Sequence, residues 1–164
     1  MLATLSGCAT AAKPDEMVPE KITPVHKSSG DVSIAVSGGK ETSSMGASQV
    51  SNDAFAQALS ASIEQSGLFA KVSPAGTRYR LTAFIGKVDQ PMFGFSLKVT
   101  MEVSYTLIDT QSGTTIWTKD IPSEYTAKGS EAFAATKRLR LANEGEAKNN
   151  ISKALTEISA LNLP

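Results

Sequence analysis

The chain has 164 residues, of which 41% are hydrophobic and 20% charged, and its sixteen basic residues are balanced by sixteen acidic ones. This length accommodates one ordinary core, and a net charge of zero supplies no overall field to attract nucleic acid, which we therefore exclude as a partner. The single cysteine excludes an intrachain disulfide. Because the sequence contains no run of about twenty apolar residues, it predicts no membrane-spanning helix.

The only cysteine, Cys8, follows Leu5-Ser6-Gly7 and precedes a run of small residues. This pattern resembles the lipobox of bacterial lipoproteins, in which the cysteine thiol is diacylated, the preceding residues are removed and the new N-terminus is often acylated. The resemblance implies a diacylglycerol and an N-acyl chain, such as palmitate, on Cys8, and no other cofactor. Residues 1–7 would be the remnant of a signal peptide, since they lack the basic start and the longer apolar core of a full one.

The residue after the cysteine is Ala9. An aspartate at this position is a common signal that retains Gram-negative lipoproteins in the inner membrane, and it is absent here. The resemblance therefore implies the outer membrane, on its periplasmic side, with attachment by lipid alone. The alternative is an ordinary thiol in a cytosolic protein.

We expect residues 8–30 to form a lipid-anchored flexible linker, because three prolines and mixed charges leave little apolar surface to bury. The only histidine, His26, lies in it and is not expected to be catalytic.

The folded domain is predicted over residues 31–164. A short alternating run at 32–36 indicates a strand. Ser51 is a suitable N-cap for a helix whose apolar stripe is Phe55, Leu59 and Ile63, and Gly67 is a suitable left-handed end. A brief strand is expected through residue 72.

The next two segments, 79–85 and 95–107, alternate apolar and polar residues, and the longer one does so without a break. This alternation indicates an antiparallel sheet that is covered on a single side. A turn over 109–113 leads into a further strand at 115–119, which completes a hairpin. We interpret Asp109 as a turn residue and not as an acid catalyst.

The connection between the two alternating segments places apolar residues where polar ones are usual. Apolar residues at a loop tip can mark contact with a partner, a lipid or a ligand. The partner-binding candidates here are Pro91, Met92, Phe93 and Phe95. The alternative is that the tip folds back onto the domain's own helix.

The C-terminal third is predicted to be helical from Ser130 and to cover the sheet. Gly145 within it indicates a close approach to the sheet or a kink. A second group of partner-binding candidates precedes the regular part of the helix: Arg138, Arg140, Asn143 and Glu144. The alternative is a solvated helix face, in which Arg140 and Glu144 pair with each other at a spacing of four residues.

These elements predict an α+β fold: an antiparallel or mixed sheet of about four to five strands, with two or three helices on one face, preceded by a disordered N-terminal tether. Residues 32–160 resemble small bacterial envelope lipoproteins, including transport-auxiliary and secretion or assembly lipoproteins. The resemblance is carried by a helix that ends in Gly-Leu-Phe and by a hairpin with an Asp and Gly turn: residues 55–59, 66–69, 79–81 and 105–109, with Gly113 and Trp117. It implies no catalytic residues.

We therefore expect a non-enzymatic, periplasm-facing lipoprotein that acts as an interaction or accessory module in envelope transport, assembly or maintenance, with an envelope protein as a further partner. The sequence has no GxSxG elbow and no HExxH or paired CxxC spacing, so no catalytic or metal site is predicted. One alternative is a carrier of a small molecule or lipid in a cavity between sheet and helices. Another is a hydrolase that uses carboxylates such as Glu102.

Overall fold

The computed structural model describes residues 9–43, 46–91 and 93–163. In chain order it contains β1 (Val32–Ser37), α1 (Asn52–Ser66), β2 (Tyr79–Asp89), β3 (Leu97–Asp109), β4 (Thr114–Ala127) and α2 (Ala135–Ser159), with a short 3-10 helix at Asp15–Met17 before them. The strands form one sheet in the order β1-β2-β3-β4. The predicted α+β class is confirmed, with a mixed sheet of four strands and two long helices.

The strand pairings follow from the connections between the strands. β1 and β2 are joined through α1 and pair in parallel, whereas β2, β3 and β4 follow one another through short connections and pair antiparallel. The alternation predicted for the long third strand is confirmed from Leu97 onward, because every second side chain from Leu97 to Leu107 is buried. It is wrong at Phe95, which precedes the strand and is exposed. Both helices lie on that buried face, so the opposite face of the sheet is open.

The ends of α1 are those that the sequence predicts. The hydroxyl of Ser51 accepts a hydrogen bond from the backbone N–H of Ala54 at 3.1 Å, and Gly67 ends the helix with a φ of 64°. Only a residue without a Cβ adopts that left-handed conformation without strain. Phe55, Leu59 and Ile63 are fully buried in the core.

The second helix, α2, begins at Ala135, five residues after the predicted start at Ser130. Residues 128–134 form turns and bends instead. The close approach expected at Gly145 is confirmed, because a Cβ at this position would lie 2.6 Å from the ring of Tyr125 on β4. A glycine is therefore the residue that lets the helix lie against this strand.

Residues 9–30, for which the sequence predicts a flexible linker, instead lie along the domain. Met17 is fully buried in the core and Ala12 nearly so. The backbone N–H of His26 donates to the carbonyl of Ser159 at 2.9 Å, and that of Ser28 donates to Leu68 at 2.8 Å. The segment has few apolar residues, but the folded domain supplies pockets for them and partners for its backbone. No helix in the described ranges is both long and apolar enough to span a membrane.

Candidate interaction site at one end of the sheet

One end of the sheet carries three exposed phenylalanines. β2 ends here and β3 begins, and β4 ends here and is followed by the start of α2, so the loops 90–96 and 128–134 are neighbours. Phe93 is 88% exposed, Phe95 80% and Phe133 101%, the highest values among the large apolar side chains that the structure describes. We refer to Phe93, Phe95 and Phe133 as the apolar tip.

A buried arginine joins the two loops that carry the apolar tip. The guanidinium of Arg138 donates to the carbonyls of Ala132 and Phe133, each at 2.8 Å, and to the carbonyl of Gly94 at 3.3 Å. The side chain is only 9% exposed. Because each loop supplies acceptors to one rigid, planar cation, the positions of the three phenylalanines are coupled.

A close contact between Phe95 and Gly129 adds a second link between the loops. A Cβ on Gly129 would lie 2.5 Å from the nearest ring atom of Phe95, so the ring lies directly over the glycine backbone. The outer end of the ring therefore contacts the neighbouring loop, while most of the side chain stays exposed.

A shallow groove of about 240 Å³ lies at the same end, and its lining is mostly apolar. It is lined by Ala47, Gln90, Pro91, Leu97, Ala135, Thr136 and Leu139. The candidates Pro91, Phe93 and Phe95 therefore lie at this end, whereas Met92 lies outside the described residues. The exposure of Phe93 and Phe95 favours an open tip over one that folds back, and a role in binding stays a prediction.

The second candidate group faces the interior behind the apolar tip. Asn143 is fully buried, donates to the carbonyl of Ser48 at 2.9 Å and accepts from the amide of Gln90 at 2.8 Å. Gln90 also donates to the carbonyl of Ser48 at 3.0 Å. The side chains of Asn143 and Gln90 and the carbonyl of Ser48 thus join three parts of the fold by hydrogen bonds: the middle of α2, the end of β2 and the segment before α1.

The same group also holds the N-terminal segment. The carboxylate of Glu144 accepts from the backbone N–H of Lys13 at 3.0 Å and lies 3.4 Å from Arg140, which donates to the hydroxyl of Thr10 at 3.2 Å. The predicted pairing of Arg140 with Glu144 is confirmed. Burial raises the pKa of Glu144 above its usual value, while the contacts with Lys13 and Arg140 oppose this shift. We name Arg140, Asn143, Glu144, Gln90 and Ser48 the polar clamp.

A separate polar network lies between α2 and the sheet. Tyr105 donates to Asn150 at 2.8 Å, Asn150 donates to the hydroxyl of Ser123 at 2.7 Å, and Ser123 donates to Glu146. Burial raises the pKa of Glu146 to about 7, and the bond from Ser123 and the charge of Lys153 only partly oppose it. Since Glu146 and Asn150 are fully buried, this acid has no access to a substrate.

The carboxylates on the open face of the sheet are arranged differently. Asp89 pairs with Lys87 at 2.9 Å and Glu124 pairs with Lys98 at 2.5 Å, all of them with largely exposed side chains. Glu102, the hydrolase candidate, lines the same shallow depression on this face. Exposed, ion-paired carboxylates lack the desolvated setting that tunes an acid or base for catalysis. The described residues also contain no group of three or more His, Cys, Asp or Glu side chains placed to hold a metal ion.

The space between the sheet and the helices is occupied by side chains and does not support the carrier alternative. The largest fully buried side chains from the two sides of this layer include Phe55, Leu59, Tyr105, Ile151 and Leu155. Such a filled layer is typical of a close-packed core.

Sequence reasoning missed the contributions of Ser48, Gln90 and Gly129 to this end of the molecule. A loop glycine and two uncharged polar residues carry no distinctive local signal. Their roles come from contacts with residues that are distant in the sequence: the bond between Asn143 and Ser48 joins positions 95 residues apart.

Comparison with known proteins shows the fold and no family. No family model matches the chain, and no curated protein matches it. Among solved structures, it is similar to protein XCC0632 from Xanthomonas campestris, of the family DUF330, at 12% identity and a TM-score of 0.69, over 93% of this chain and 97% of the other. The hypothetical protein CT253 from Chlamydia trachomatis gives 9% identity and a TM-score of 0.55, over 81% and 99% of the two chains.

A PelC dodecamer from Paraburkholderia phytofirmans is similar at 16% identity and a TM-score of 0.54, over 85% of this chain and 93% of that chain. At such low identities these similarities show the fold alone. The chain thus shares its α+β architecture with these proteins from Xanthomonas, Chlamydia and Paraburkholderia.

Proposed function

We propose that this protein is a non-enzymatic lipoprotein of the bacterial envelope, held at the periplasmic side of the outer membrane by acyl chains on Cys8. It acts as an interaction or accessory module in envelope transport, assembly or maintenance. The single observation that carries this proposal is the apolar tip: three phenylalanines are exposed on two loops that one buried arginine holds together.

The energetics of the apolar tip support a binding role. Exposed phenylalanine is unfavourable in water, and burying one such side chain contributes roughly 1.5–3 kcal/mol. Clustered aromatic rings at a fixed position are the kind of surface that carries most of the affinity in an interface. Because Arg138 fixes both loops before any partner arrives, binding needs little further ordering of the backbone.

The polar groups of the described chain do not favour an enzymatic alternative. Glu146, whose pKa burial raises to about 7, is enclosed in the core. On the open sheet face Asp89 and Glu124 are exposed and pair with lysines, and Glu102 is exposed. An interaction module requires neither an accessible acid nor a cofactor.

The lipid anchor is tested by expressing the chain in a Gram-negative host behind a complete lipoprotein signal peptide, beside a Cys8→Ser control. We expect the intact mass of the mature protein to start at Cys8 and to include acyl chains, and we expect the protein to fractionate with outer membranes. An unmodified Cys8, or identical fractionation of the two proteins, would contradict the proposal.

The role of the apolar tip is tested by complementation. In a strain that lacks the gene, we expect the wild-type chain to restore the outer-membrane permeability barrier, and Phe93→Ser with Phe133→Ser to fail at equal protein abundance. The matched control is Phe84→Ser, because Phe84 is 52% exposed but lies on the open sheet face away from this end. Equal complementation by the tip variant and the control would show that the tip is dispensable.

A further inference from the structure

We propose that the apolar tip is a membrane-docking surface, which inserts into the same lipid leaflet that holds the acyl chains of Cys8. This inference rests on the proposed function and names the occupant of its site: a lipid surface, and not a second protein. It assigns to the folded domain a fixed orientation on the membrane.

The first step is the place where the chain leaves the domain toward Cys8. The backbone N–H of Ala12 donates to Gln49 at 3.2 Å, that of Lys13 donates to Glu144 at 3.0 Å, and Thr10 accepts from Arg140 at 3.2 Å. Cys8 is only two residues before Thr10. Since consecutive Cα atoms are 3.8 Å apart, the Cα of Cys8 can be no more than about 8 Å from the Cα of Thr10, and the acyl chains are attached at that residue. The domain therefore cannot stand far from the lipid surface.

The second step is that this exit point lies at the same end as the apolar tip. Arg140 is five residues after the first residue of α2, a rise of about 7.5 Å along the helix axis. Phe133 precedes that first residue by two positions. Asn143, in the next turn, bonds to Gln90, which directly follows β2 and opens the loop that carries Phe93. The polar clamp thus fixes the anchor segment next to the two loops of the tip.

The third step is the chemistry of the surface itself. Phenylalanine is one of the side chains that surface-bound amphipathic segments bury at the boundary between headgroups and acyl chains, and basic side chains beside it attract anionic headgroups. Lys128, Glu131 and Lys137 around Phe133 are all exposed, so this stretch carries one net positive charge. The several acyl chains expected on Cys8 are enough for stable attachment, so the apolar contact would set the orientation of the domain and not its attachment.

The short tether also favours lipid over a protein as the occupant. A folded protein partner at the apolar tip would have to fit between this end of the domain and a membrane whose acyl chains are attached to a residue with its Cα within about 8 Å of that of Thr10. A lipid leaflet already lies there. The remaining surface, including the open sheet face, stays free for an envelope protein partner.

The experiment uses the single cysteine of the chain to separate docking from biological lipidation. The purified chain is coupled through Cys8 to a maleimide lipid in vesicles of phosphatidylethanolamine with a minority of phosphatidylglycerol. In a Trp117→Phe background, one reporter tryptophan is introduced as Phe93→Trp or Phe133→Trp, with Phe84→Trp as the matched control. Some vesicles carry lipids that are brominated near the headgroup end of the acyl chains. Circular dichroism verifies that each variant is folded.

We expect bromolipid to reduce the emission of the Phe93→Trp and Phe133→Trp reporters roughly by half, because interfacial side chains reach about 5–10 Å into the headgroup and acyl boundary. The Phe84→Trp reporter should be unaffected. Tip reporters that are quenched no more than the control would overturn the inference. A blue shift that depends on protein concentration, in the absence of quenching, would also overturn it and indicate a second copy of this chain as the occupant.

A readout in the unsubstituted chain protects the test against a folding defect of the Trp117→Phe background. The amides of loops 90–96 and 128–134 should exchange hydrogen several-fold more slowly when the chain is coupled to vesicles than when it is free, and those of the turn at 110–113 should not change. Equal exchange in both states would contradict docking. Failure of acylation in cells, with docking of the coupled chain intact, would count against the proposed anchor and not against this surface.

Discussion

The two ends of the sheet are built from the same strands, but one end exposes polar groups and the other exposes apolar side chains. At the polar end, which consists of the β3–β4 turn and the start of β2, Arg78 pairs with Asp109 at 2.7 Å. Asp109 also accepts hydrogen bonds from the backbone of Gln111 at 2.9 Å and Ser112 at 3.2 Å, and Thr110 donates to the carbonyl of Thr77 at 2.6 Å. The apolar tip, at the other end, exposes phenylalanine rings instead.

The comparison distinguishes an end of the sheet whose polar groups satisfy one another from an end whose side chains remain available for contact. The polar end satisfies its own backbone with short side chains, as tight turns do, and needs nothing beyond water. The apolar tip uses its buried cation to position apolar groups that the fold itself does not bury. A surface that is both unfavourable in water and held in place is best explained by what it contacts.

The two arginines of these ends provide the largest expected effect on stability. Arg138→Ala removes a buried cation from three carbonyl acceptors. Breaking a buried charged interaction costs about 3–5 kcal/mol, so we expect a loss of that size in the free energy of unfolding, measured by urea denaturation. Arg78→Ala at the partly exposed polar end should lose only a small fraction of that. Equal losses would mean that Arg138 does not hold the two loops together.

Glu146, buried between α2 and the sheet, and Asp109, at the polar end, should respond to pH in opposite directions. Burial raises the pKa of Glu146 to about 7, so the folded protein binds a proton that the unfolded chain releases near pH 4.5, and stability falls as the pH rises between these values. The fall amounts to about 3 kcal/mol at most, at 1.36 kcal/mol per pKa unit. Burial alone would raise the pKa of Asp109, but bonds from Ser112 and Gln111 and the charge of Arg78 lower it overall. Its contribution is lost as the pH falls.

Denaturation between pH 4 and pH 8 checks this prediction. Glu146→Gln keeps a group that can bond to Ser123 but removes the titration, so its stability should fall much less above pH 5 than that of the wild-type chain, with the remaining fall due to Glu144, whose pKa burial also raises. Asp109→Asn should leave the decrease between about pH 5 and pH 7 unchanged and alter only the acid side of the profile. A wild-type decrease that persists in Glu146→Gln would assign the effect to another group.

The predictability of this fold depended on how local each signal is. The alternation of β3, the cap at Ser51 and the stop at Gly67 are fixed by neighbouring residues, and the structure has all three where the sequence places them. The docking of the N-terminal segment is not local: the bond between Lys13 and Glu144 joins positions 131 residues apart, and Met17 finds its pocket only in the finished core.

The candidate site was predictable in part for the same reason. An apolar residue in a loop marks Phe93 in the sequence itself, whereas Phe95 also fits the alternation of the strand that follows. The helix predicted from Ser130 would include Phe133, but α2 begins two residues after Phe133 and the ring is fully exposed. Arg138 is a partner-binding candidate in the sequence, whereas its burial depends on carbonyl groups from two loops that only the fold brings together.

Substitution of one glycine at each end of the sheet should have a moderate effect on the free energy of unfolding. Gly113 at the polar end has a φ of 71° and open space around its Cα, so Gly113→Ala should cost about 1 kcal/mol through backbone strain. Gly129 lies under the ring of Phe95, and a flexible ring can move aside. Gly129→Ala should therefore change the free energy of unfolding less than Gly113→Ala does, but it should weaken the vesicle protection of loops 90–96. The reverse order of stabilities would show that Gly129 is needed for folding and not for the position of Phe95.

We expect the smallest effect on stability from substitution of Phe133, the most exposed ring of the apolar tip. Because Phe133 is fully exposed in the folded chain, Phe133→Ser should leave the free energy of unfolding within about 0.5 kcal/mol of the wild type, as exposed substitutions usually do. Phe84→Ser should cost more, since half of that side chain is buried. In vesicle coupling the order should reverse, with reduced protection of loop 128–134 only in Phe133→Ser. If Phe133→Ser keeps its free energy of unfolding but loses the vesicle protection, the ring serves membrane contact and not folding. A large loss in the free energy of unfolding would instead show that the ring is needed for folding.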